Sequence, residues 1–142
     1  MSGEWWEPKQ TESDQPRRRT PRRWRDKFRE AIRGVKRGVR GHSSFFVHFF
    51  FAALALTAAL VLQCDRIELC LIVGCIGFVL TAELFNSAIE TMFHGLDAES
   101  KARIRGCLDI AAGAVLLAGI TAAVIGTLIF GHHLCAMLHL YE

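Results

Sequence analysis

Residues 43–64 read SSFFVHFFFAALALTAALVLQC, 22 consecutive positions without Asp, Glu, Lys or Arg. Wound as an α-helix, the run is about 33 Å long, enough to cross a hydrocarbon core of about 30 Å. Residues 110–131 form a second 22-residue run free of the same four residue types, and the uncharged sequence continues to Tyr141. Between them, residues 67–93 are apolar apart from Glu68 at the start and Glu83, Asn86 and Glu90 in the second half. The reading is an all-α membrane protein with spans of about 43–64, 67–93 and 108–131.

Charge supports this division. Across the 142 residues, 51% are hydrophobic and 22% charged, which excludes a disordered chain or a basic nucleic-acid arm as a description of the whole. Residues 1–40 hold 13 of the 17 Lys/Arg and 6 of the 14 Asp/Glu, a net +7, whereas the remaining 102 residues carry 4 basic and 8 acidic side chains. So few charges over 102 residues exclude an ordinary soluble domain and make residues 42–142 a three-span membrane domain. Basic residues concentrate in the N-terminal segment and in the connection 91–106, with Lys101, Arg103 and Arg105, while the turn 64–68 has only Arg66. Positive-inside counting therefore places the N-terminus and the second connection in the cytoplasm, and His132, His133 and His139 on the far side. The first apolar run is longer than the core of a cleaved signal peptide and is expected to remain in place.

Residues 1–16 are polar, contain Trp5 and Trp6, and read as a disordered tail. Residues 17–41 are basic, with Trp24, Phe28, Ala31, Ile32 and Val35 spaced to share one helical face. Such a helix lies on a membrane surface with its apolar face in lipid and its arginines on anionic head groups, which leaves no need for nucleic acid as a partner. Gly34, Gly38 and Gly41 are expected to permit a bend into the first span.

The second span carries the chemistry. Glu83, Asn86, Ser87, Glu90 and His94 stand at relative positions 0, 3, 4, 7 and 11, one stripe of a helix. Asn and Ser alone would be ordinary interhelical hydrogen-bonding groups. Two carboxylates at membrane depth require cations, protonation or metal, and mark a functional site. Seven residues separate Glu83 from Glu90 by about 10 Å along the axis, too far to share one proton. The arrangement suits a deep base meeting a lipid hydroxyl and a shallower carboxylate holding a divalent cation. In the third span, Asp109 is either a residue at the helix N-terminus or part of the polar site, and Ala114, Ala118, Ala122 and Gly126 repeat every four residues as a packing stripe. The five cysteines show no CxxC spacing and read as small buried hydrophobes.

The string Ala82-Glu83-Leu84-Phe85-Asn86-Ser87-Ala88-Ile89-Glu90, followed by Asp109-Ile110-Ala111-Ala112-Gly113-Ala114-Val115-Leu116-Leu117, resembles the bacterial integral-membrane diacylglycerol kinase family, which includes undecaprenol kinases. The resemblance extends from Ala31-Ile32-Arg33-Gly34 through Phe45 and His48 to about Gly126. It implies a surface helix, three transmembrane helices and a homotrimer with sites shared between protomers, in the bacterial cytoplasmic (inner) membrane. It also implies transfer of the γ-phosphoryl group of ATP, with Mg²⁺, to the hydroxyl of a membrane lipid alcohol, either diacylglycerol or undecaprenol. On that resemblance Glu83 is the general base and Asn86 a polar active-site residue. Glu90 is a metal-binding carboxylate, Asp109 belongs to the nucleotide site, and Glu99, Ser100 and Lys101 lie on a loop bordering the nucleotide.

Three positions depart from the family pattern. His42 stands where the family has a second metal-binding glutamate, Leu108 where a lysine precedes the aspartate, and His94 where an aspartate follows the metal glutamate by one turn. Imidazole is a poorer ligand than carboxylate for hard Mg²⁺, and Leu108 cannot neutralise phosphate charge. Lys101, Arg103 and Arg105 are the cations left to do so. The alternative these changes raise is a catalytically degenerate membrane relative that keeps the fold.

Overall fold

The structure, a computed structural model, describes residues 23–41 and 44–138. His42, His139 and the tail bearing Trp5 and Trp6 lie outside the described residues. Four helices follow one another: α1 (Trp24–Gly41), α2 (Ser44–Val61), α3 (Arg66–His94) and α4 (Ala98–Met137). The last three are long and apolar enough to cross a membrane.

Local chemistry sets the helix ends. After α2 the chain reverses through Gln63, whose φ of 54° lies in the left-handed region, and the Cys64 amide returns to the Ala59 carbonyl at 3.0 Å. Asp65 then caps α3: its Oδ1 accepts from the amides of Ile67 at 2.7 Å and Glu68 at 2.8 Å. Glu68 Oε2 accepts from the Asp65 amide at 2.9 Å, closing a capping box. Asp97 caps α4, accepting from the Ser100 amide at 3.0 Å.

That second cap changes the expected connection. Residues 91–106 read as a hydrophilic loop from their charge, yet only 95–97 lie between the helices, and α4 runs unbroken for 40 residues. Its length of about 60 Å exceeds the hydrocarbon thickness, so its hydrophilic first turns extend beyond the apolar layer. Asp109 is consequently the twelfth residue of a helix, not a residue at its N-terminus. Gly34 and Gly38 likewise sit inside continuous helix. Gly38 serves close packing, because a Cβ at that position would stand 2.8 Å from Leu84 Cδ2 of α3.

Helices α3 and α4 form an antiparallel hairpin, α2 lies chiefly against α3, and α1 touches α3. An apolar core of Ala59, Ile72 and Ile129, flanked by Leu69, Ile76, Ile125 and Phe130, occupies the end near the α2–α3 turn. On α4 the buried positions are Ala111, Ala118 and Ile129, while Ala114 is exposed. A strict four-residue stripe drifts about 40° per step around a helix, which carries Ala114 off the contact that Ala118 makes. The described residues bury only Phe45, Ala59, Ile72, Ala111, Ala118 and Ile129 as apolar core, whereas Phe46, Phe85, Ile110 and Leu128 are 68% or more exposed. Large apolar surface of this kind faces lipid or other chains.

Candidate functional site

Away from the apolar core, the bundle buries polar groups instead. Glu83 is 2% exposed and Ser87 1%, one turn apart on α3. A carboxylate so enclosed keeps its charge only with specific partners, since desolvation costs several kcal/mol. Two come from α2. Ser44 Oγ donates to Glu83 Oε1, and His48 Nε2 stands 3.8 Å from Glu83 Oε2. The latter distance is too long for a hydrogen bond and becomes an ion pair on imidazole protonation. Ser44 and His48 are four residues apart, one above the other on a single helical face. Neither was singled out by the sequence as a site residue, although they are polar groups at the head of an otherwise apolar helix.

One turn further along α3, Asn86 Nδ2 donates to Glu90 Oε1 at 3.1 Å. The buried Asn86 Oδ1 and Ser87 Oγ have no hydrogen-bond partner among the described residues. Orphaned buried acceptors carry a penalty of about 1–3 kcal/mol, which a ligand or another chain can relieve. Glu83, Asn86, Ser87 and Glu90 thus share the stripe that their spacing indicates, while His94 is exposed at the end of α3.

The remaining candidates are on α4 and do not join this network. Glu99, Ser100 and Lys101 occupy the first turn of α4, a correction to their expected place on a loop. Glu99 pairs with Arg103 at 2.5 Å along the helix. Ser100 Oγ donates to Asp97 Oδ2 at 2.8 Å, and the Lys101 ammonium lies 6.0 Å from the centre of the Phe93 ring. Hydrogen bonds from the Ser100 amide and then its hydroxyl hold the Asp97 carboxyl below the usual carboxylate range. Asp109 is exposed and Leu108 half-buried.

Three apolar helices around a buried, hydrogen-bonded carboxylate define a small multi-span membrane protein with a polar site at one end of the bundle. Residues 29–130 match the family described as prokaryotic diacylglycerol kinase, and the chain belongs to that family. A similar protein is the diacylglycerol kinase of Synechocystis sp., 33% identical over 102 residues, which cover 70% of this chain and 57% of that protein. The match therefore spans little more than half the length of that relative. No solved structure matches the chain.

Proposed function

We propose that the chain is an ATP-dependent lipid kinase in which Glu83 is the general base for phosphorylation of diacylglycerol or undecaprenol. The observation that carries this reading is the buried Glu83 carboxylate hydrogen-bonded by Ser44 with His48 beside it, in a chain of this family. Glu83 takes the proton from the lipid hydroxyl as that oxygen bonds to the γ-phosphorus of ATP. The bond to the β–γ bridging oxygen breaks, and ADP leaves. Ser44 and His48 position the base, and the apolar helix faces beside it admit the lipid chains.

Mg²⁺ prefers oxygen ligands. The Glu90 carboxylate and the orphaned Asn86 Oδ1 form a donor set that suits it, with His42 the further candidate ligand by sequence. Bound there, the cation supplies charge neutralisation to the phosphates. Glu99, Ser100, Lys101 and Asp109 line the approach for the nucleotide, and Lys101 offsets its charge. The protein works in the inner membrane as a homotrimer with its N-terminus in the cytoplasm. Helix α1, whose Trp24 and Phe28 are exposed, rests on anionic lipid.

The test is transfer of labelled phosphate from MgATP to diacylglycerol and, separately, to undecaprenol in mixed micelles, for wild type and Glu83→Gln. Product that vanishes in the variant supports the assignment and identifies the lipid. A folded assembly that labels neither lipid supports the degenerate reading raised by His42, His94 and Leu108.

A further inference from the structure

The opposite end of the bundle holds a second constellation with no part in this chemistry. Glu68 precedes Glu83 by fifteen residues of α3, about 22 Å along the axis. The capping box fixes its carboxylate, which reaches α4, where His133 Nε2 lies 2.8 Å from Glu68 Oε2. Cys64 comes from the turn after α2, locked by its amide bond to Ala59 and by the left-handed Gln63. One ligand atom each from Cys64, Glu68 and His133 lies within 4.8 Å of the others, and all three residues are half-buried. We propose that Cys64, Glu68 and His133 form a zinc-binding site that ties the α2–α3 turn to the far end of α4.

The donor set selects the metal. Sulfur, imidazole nitrogen and a carboxylate oxygen together suit a borderline-soft divalent cation, whereas Mg²⁺ and Ca²⁺ favour oxygen alone. With zinc–ligand bonds of about 2.0–2.3 Å, tetrahedral ligand atoms stand about 3.3–3.8 Å apart. The Glu68–His133 contact therefore opens by about 0.5 Å, and the thiolate, already within 4.8 Å of both ligand atoms, settles at about 3.5 Å from them, movements that side-chain rotation supplies. Zinc displaces the thiol proton of Cys64, and three protein ligands leave a fourth position for water. The Cys64 thiol also reaches the Glu68 carboxylate, so all three groups meet at one point. The three ligands arrive from three different elements and sit directly on the apolar core, in which Cys64 and Leu69 pack against Ala59, Ile72 and Ile129.

The test uses the full chain in detergent micelles, without a histidine tag, stripped with chelator and titrated with Zn²⁺ and then, in a fresh sample, Co²⁺. One Zn²⁺ is expected per chain, with a thermal midpoint that rises in Zn²⁺ and not in equimolar Mg²⁺. Co²⁺ is expected to give thiolate charge-transfer absorption in the near ultraviolet. Cys64→Ser should abolish that band, and His133→Gln should weaken Zn²⁺ binding by at least about tenfold. Cys70→Ser and Cys107→Ser should leave both intact. A wild type that takes up no Zn²⁺, or a band that survives Cys64→Ser, overturns the proposal and leaves a structural ion pair. Helix content and elution volume identify any variant that fails to fold. Cys64→Ser is nearly isosteric and decides the matter if the others are lost.

Discussion

A carboxylate 2% exposed within an apolar helix survives there because its two oxygens face two different groups of α2. If Glu83 is the base, Ser44 is a positioning residue: it holds one carboxylate oxygen and leaves the nucleotide untouched. A hydrogen bond to a charged group contributes about 1.5–3 kcal/mol, so Ser44→Ala should lower kcat by roughly ten- to hundredfold. The KM for MgATP should not change. Steady-state phosphate transfer reads both constants, and a loss confined to KM would assign Ser44 to the nucleotide instead. His48→Gln should cost less, because at 3.8 Å the imidazole makes no hydrogen bond to the carboxylate. Glu83, Asn86 and Glu90 were legible in the sequence because one helix carries them all and helical period alone aligns them. Ser44 and His48 were not, since their meeting with Glu83 depends on the register of α2 against α3, 39 residues apart in the case of Ser44 and Glu83. The same limit hid His133 from Glu68, 65 residues away.

Among the elements, the spans were legible from their apolar length, and the start of α4 was not. Its first three turns carry Glu99, Lys101, Arg103 and Arg105, whose charge resembles a loop, while the helix signal is the cap Asp97 with Ser100 three residues on. Asp97 thereby carries a pH dependence. Its folded-state carboxyl lies below its ordinary value, so the ionised form stabilises the fold at neutral pH. That contribution is complete above the unfolded value of about 3.9 and disappears as pH falls through the depressed folded value. The difference in thermal midpoint between wild type and Asp97→Ala should therefore be constant near pH 7 and shrink below about pH 4. A difference that widened with acid would contradict the assignment. Where α1 crosses α3, Gly38→Leu should destabilise by about 1–3 kcal/mol, because Leu84 already fills the space. Adding Leu84→Ala should recover most of that loss. Gly38→Ala should be nearly neutral, since Leu84 Cδ2 is the end of a flexible side chain and the gain in helix propensity of about 1 kcal/mol opposes the contact. Thermal unfolding of the two single variants and the double variant in micelles measures the coupling, and additive effects would mean that the two helices do not press on each other there.

At the scale of the whole molecule, one chain leaves buried polar groups unmatched among its described residues. Asn86 Oδ1 and Ser87 Oγ are buried without partners among the described residues, and Asp109 is exposed on the outer side of the hairpin's second helix. A carboxylate beside an apolar span is costly unless protein or water receives it. Ser87 Oγ gains an acceptor and Asp109 leaves the lipid if Asp109 of one protomer faces the Glu83–Glu90 stripe of the next, as a closed ring of identical chains allows, while Asn86 Oδ1, itself an acceptor, then needs a cation between the carboxylates. This arrangement separates the site into halves supplied by different chains, and mixing exposes it. Glu90→Gln and Asp109→Asn should each be inactive alone. Unfolded together in equal amounts and reassembled, they should regain about one quarter of wild-type transfer, because half the chains bring an intact Glu90 and half of their neighbours an intact Asp109. If both groups serve the site within one chain, every mixed assembly lacks one of them at each site, and the mixture stays as inactive as its parts.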